Sequence, residues 1–109
     1  MADYWDHGGV RYAIQSIYSL PDDAWCFELS RARPDPQTTQ GWLPGNAVVF
    51  ALVPDEDLSL EPTIHFDAKE LDLPLAVLAR FMEIVTAEAE RCRAALLEAA
   101  VPADRNGPG

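Results

Sequence analysis

Two cysteines, one lysine and no long apolar run are the scarcities of this 109-residue chain, and each removes a class of protein. Cys26 and Cys92 lack the close spacing of a zinc site and the density of a disulfide scaffold, so the expectation is reduced thiols in a cytoplasmic protein. The opening MADYWDHGGV is acidic and aromatic, whereas a secretory leader is basic and then apolar. No stretch approaches the roughly 18 consecutive apolar residues of a membrane span. Seven arginines accompany the single lysine, Lys69, a balance that a GC-rich bacterial coding sequence produces. G-x-G-x-x-G, phosphate-loop and H-E-x-x-H patterns are also missing, which leaves no cofactor or metal to expect from motifs.

Acid is abundant where base is scarce. The formal charge is −10, and it is uneven: residues 1–72 hold 13 acidic against 4 basic side chains, residues 73–109 hold 5 against 4. Such a surface repels nucleic-acid phosphates and anionic lipid, so neither direct nucleic-acid binding nor membrane binding is expected. A basic protein is the natural electrostatic partner, while the same acidity also keeps a small protein soluble.

The length predicts a single domain over residues 1–101, with a polar tail over 102–109. VRYAIQSIYSL fits either a strand or a helix face by periodicity, and its β-branched and aromatic content favours a strand. In AWCFELSR, Trp25, Phe27 and Leu29 alternate against Ala24, Cys26, Glu28 and Ser30, and Pro21 to Asp23 joins the two segments as a hairpin. RPDPQTTQGWLPG is a loop by its three prolines and two glycines. NAVVFALV is apolar on both faces, as in a central strand, and TIHFD follows the acidic loop PDEDLSLEP as a fourth strand. Asp72 is placed to cap a helix running from about Leu73 to Ala100, with Pro74 in its first turn. The predicted fold class is therefore α+β: a four-stranded, mainly antiparallel sheet followed by one long C-terminal helix packed on one face.

Leu75, Leu78, Met82, Val85, Ala89, Cys92, Leu96 and Ala99 form a heptad seam along that helix, flanked in its first half by Val77, Phe81 and Ile84. At 1.5 Å per residue the helix is about 42 Å long and should overhang its sheet. The front half is expected to pack on the sheet. The narrower back half, Ala89, Cys92, Leu96 and Ala99, is the candidate seam for a homodimer, unless the N-terminal segment with Tyr4 and Trp5 covers it.

Several motifs point weakly to chemistry. Asp55, Asp57, Ser59 and Glu61 start like a calcium loop, but Leu60 stands where the turn glycine belongs and Phe66 where the bidentate glutamate belongs. His7 to Gly9 resembles an oxyanion-hole turn without any G-x-S-x-G elbow, and the two glycines are better read as turning the chain into the first strand. His65 and Asp67 share a strand face and could pair a base with a carboxylate or supply two metal ligands, although a surface hydrogen bond at a sheet edge is the far commoner role of such a pair. In QGWLPGN, Trp42 and Leu43 stand on a stiffened turn, either outward as a hot spot or folded over the sheet.

These observations favour a small acidic, non-enzymatic protein-binding module of regulator, chaperone or inhibitor type, homodimeric through its helix. The candidate partner-binding residues are Trp42, Leu43, Asp55, Glu56 and Asp57, joined by Asp22 and Asp23 in the neighbouring acidic turn. Two alternatives remain: an acidic decoy that mimics nucleic acid toward a basic protein, and a small-ligand or enzyme domain with a pocket near His65.

Overall fold

The computed structural model of the chain describes residues 2–67 and 72–100; the tail expected from 102 onward lies outside them. Five strands form one antiparallel sheet in the order β1-β2-β3-β6-β7: β1 (Ala2–His7), β2 (Val10–Ser19), β3 (Ala24–Arg31), β6 (Ala47–Pro54) and β7 (Thr63–Phe66). Between β3 and β6 the chain makes an excursion in which β4 (Arg33–Pro34) pairs with β5 (Trp42–Leu43). One helix, α1 (Leu75–Ala99), crosses a single face of the large sheet. The α+β class with a C-terminal helix is as expected from the sequence, with five strands in place of four.

The added strand is β1, and the glycine pair creates it. Gly8 and Gly9 have φ of 57° and 77°, and His7 pairs directly with Val10, so the two glycines form a two-residue hairpin with both central residues left-handed. Only glycine adopts that geometry without steric cost. Residues before the turn carry one aromatic per face, Tyr4 and Trp5, among charges, which hides the strand from a search for alternation.

The core lies between sheet and helix. Tyr12 and Ile14 from β2, Phe27 and Leu29 from β3, and Val49, Ala51 and Val53 from β6 meet Val77, Phe81 and Val85 from α1. The alternation read in AWCFELSR matches this arrangement, since Phe27 and Leu29 are buried beneath the helix. β6 is less evenly covered than its two-sided apolar pattern suggests: Val49, Ala51 and Val53 are buried, while Val48, Phe50 and Leu52 on the far face are half-buried.

Two expectations about the helix change. Asp72 is not the cap: Pro74 takes that position, its carbonyl accepting the N–H groups of Val77 and Leu78, and no side chain caps the end. A cap at Asp72 would make Leu73 helical, and the residue before a proline is disfavoured in that conformation. The Asp72 carbonyl instead accepts a hydrogen bond from Arg31 Nη2 at 2.9 Å. The heptad seam also coincides with the buried stripe only at Val85, with Leu78, Ala89 and Cys92 packed at its side. Val77, Phe81 and Val85 face the sheet, whereas Leu75 is 80% and Met82 38% exposed. A helix of 3.6 residues per turn lying on a sheet buries a stripe that a 3.5-residue repeat does not follow, and the seam is rotated roughly 60° from the buried line.

Candidate functional site

That rotation turns one apolar flank of α1 toward β7. Met82, Val85, Ala89 and Leu96 form one wall of a groove of about 360 Å³, and Val53, Pro54, Leu58, Leu60, Pro62 and Ile64 form the other. Asp57, Glu90 and Arg93 stand among the walls as its charged members. The opposite flank of the helix is different: there Ile84, Glu88 and Arg91 lie over Asp3, Ser16 and Trp25, and Glu88 pairs with Arg91. The cleft on that side is lined by polar and charged side chains, whereas the groove on the other side presents mainly apolar surface.

The loop between β6 and β7 builds the far wall because it is anchored at its start. Tyr18 donates its hydroxyl hydrogen to Asp55 Oδ1 at 3.0 Å, and the Asp55 N–H reaches the Asp23 carbonyl at 3.4 Å. Asp57 then accepts from both the N–H and the hydroxyl of Ser59, at 2.8 and 2.6 Å, which tightens the loop and holds its carboxyl below the ordinary value. Leu58 and Leu60 are carried toward the helix by this turn. Their alternation inside DEDLSLEP was the available signal, but the surrounding acid makes the segment read as a solvated loop. Tyr18 is half-buried against Trp25, with ring centroids 5.2 Å apart, and burial together with the nearby carboxylates pushes its phenol up to about 12.

The residues singled out in the sequence fall in separate places. Asp22, Asp23, Asp55 and Glu56 come together around the Tyr18 end of the sheet. Trp42 and Leu43 lie at the other end of β3, about 23 Å away for a strand of this length, so the candidate partner-binding set is divided. Trp42 is half-buried on the sheet face away from the helix: the Arg11 guanidinium sits 4.9 Å above its ring, and its carbonyl accepts from the Tyr4 hydroxyl at 3.2 Å. Arg11 is held in turn by both carboxylate oxygens of Asp6, at 2.7 and 2.8 Å.

Of the helix residues considered for a second copy, Ala89 and Cys92 pack against the chain's own core, Leu96 lines the groove and Ala99 is exposed. Trp5, considered as a cover for the back half of the helix, lies under Arg80 in the front half at 4.9 Å from its guanidinium. Burial raises both thiols, Cys26 and Cys92, above the ordinary value.

His65 points away from the helix, because it alternates with Ile64, whose partner Ala51 is buried under the helix. Its ring stacks on Phe50 with centroids 4.7 Å apart and planes at 10°, and Nε2 lies 3.0 Å from Thr63 Oγ1. The groove between sheet and helix thus does not include it. Among the described residues no group of three or more His, Cys, Asp or Glu is arranged to hold a metal ion, and no helix is long and apolar enough to cross a membrane. Comparison of the chain with protein-family models, curated proteins and solved structures finds no match.

Proposed function

We propose that the protein is a non-enzymatic binding module that receives a segment of another polypeptide in the groove between Met82 and Ile64. The observation that carries this reading is the groove itself: apolar walls opening to solvent beside an acidic loop. Apolar surface of that kind gains free energy when covered, at about 25 cal/mol per Å², and carboxylates at a rim select a basic partner and speed its approach. The test is retention of proteins from the native cell on the full chain at low and high salt, beside a variant carrying Met82→Glu and Leu96→Glu. A basic protein held at low salt, released at high salt and lost in the variant is the expected result. Equal retention by the variant overturns the reading.

Pairing of two copies through the end of the helix is a second reading, favoured by Leu97, which is 51% exposed next to Leu96. It predicts twice the chain mass by light scattering, falling to the single mass in Cys92→Glu with Leu96→Glu. A single mass for the unaltered chain removes it.

A further inference from the structure

The groove runs beside the last described strand of the sheet, and that edge is aimed. β7 has β6 as its sole neighbour among the described strands. The Asp67 N–H donates to the Val48 carbonyl at 3.0 Å, directly across the antiparallel pair, which makes 67 and 48 a hydrogen-bonded pair. Such pairs alternate along an antiparallel ladder. Thr63 and His65 therefore turn their backbone groups toward β6, opposite Leu52 and Phe50, and Ile64 and Phe66 turn theirs outward. The outward residues are also those whose side chains lie on the helix side, opposite Ala51 and Val49. Phe66 is 60% exposed there although its neighbour Val49 is fully buried, because the helix covers β6 and stops short of the edge.

Resting on the reading of the groove as a polypeptide site, we infer that β7 is a docking edge for an extended segment of a basic partner protein, which adds to it as a sixth strand. A strand placed there pairs its backbone with Ile64 and Phe66. Its residues opposite those two point to the helix side, beside Met82, so the occupant carries apolar residues at alternate positions. A helix laid in the same groove would leave the outward N–H and C=O groups to water, whereas a strand pairs with them. Charge decides against a second copy on this edge: each chain carries −10, and among the described residues that line the groove Asp57 and Glu90 stand with one cation, Arg93. The opposite edge, β1, offers no comparable seat, since Trp5 on its helix side is covered by Arg80.

The probe is a short synthetic peptide, blocked at both ends, in which valine and lysine alternate. Hydrogen exchange of the Ile64 and Phe66 amides and fluorescence anisotropy are read with the full chain. Addition to β7 slows exchange at both amides, and about 0.5 M salt weakens binding because the charged rim is screened. Phe66→Pro removes one outward N–H at an exposed edge position that tolerates proline, and should weaken binding about fivefold. Methylation of the peptide amides on one edge does the same while leaving the protein unaltered, so the test survives if the proline variant fails to fold. Equal binding by the methylated peptide, with Met82 and Leu96 signals shifted, overturns strand addition and leaves the groove reading standing. Absence of any shift at Met82, Leu96, Ile64 and Phe66 overturns both. Slowed exchange at β1, or self-association of the unaltered chain through β7, also overturns the docking edge.

Discussion

Single residues set local geometry that nothing else in the chain can supply. A side chain on Gly45 would place its Cβ 2.3 Å from the Arg31 carbonyl oxygen, and the Gly45 N–H meanwhile donates to the buried Ser30 hydroxyl at 3.1 Å. The Gly45→Ala variant should lose about 1–3 kcal/mol in urea denaturation, the usual cost of forcing atoms into a filled site. Tyr18 carries a pH dependence of known sign. Folding raises its phenol from the ordinary 10 to about 12, by partial burial and by its bond to Asp55, so folding favours the protonated form. That contribution is complete below pH 10 and is lost as pH rises through 12. Denaturation midpoints should decline across this window more steeply than in Tyr18→Phe, and parallel curves would remove the assignment.

At the level of elements, the hairpin of β1 and β2 and the helix face each depend on a periodicity that the sequence displays differently. Replacing Gly8 and Gly9 with valine puts β-branched residues at positive φ and should detach β1, seen as loss of exchange protection on the outer side of β2. Phe81 and Leu75 test which helix stripe matters for stability. Phe81→Ala removes a ring with no exposure and should cost about 3–5 kcal/mol. Leu75→Ala, at a site 80% exposed, should stay within about 0.5 kcal/mol. The heptad spacing puts Leu75 on the seam and Phe81 on its flank. Both stripes are apolar, and a helix considered alone contains nothing to say which of them meets the sheet.

For the whole molecule, excess acid is the governing property. A formal charge of −10 on a chain of this size repels itself in the compact state, so the melting temperature should rise between about 0.01 M and 0.2 M salt as the charges are screened. A flat or falling curve would place the carboxylates in local pairs instead. The acidity, the α+β class, four of the five main strands and the long helix were legible in the sequence, because each follows from composition or from a repeat within one segment. The glycine pair also marked a turn, but the polar residues before it concealed β1 until Val10 supplied a partner for His7. The division of Trp42 from Asp55, the turning of His65 away from the helix, and the groove itself were decided by tertiary structure. Each depends on which face of one element meets another: Ile64 shares the helix side of the sheet with its buried neighbour Ala51, and Leu58 and Leu60 line the groove opposite Leu96 on a loop that Tyr18 anchors at Asp55. Sequence spacing determines which residues share a face, and only packing determines what that face covers.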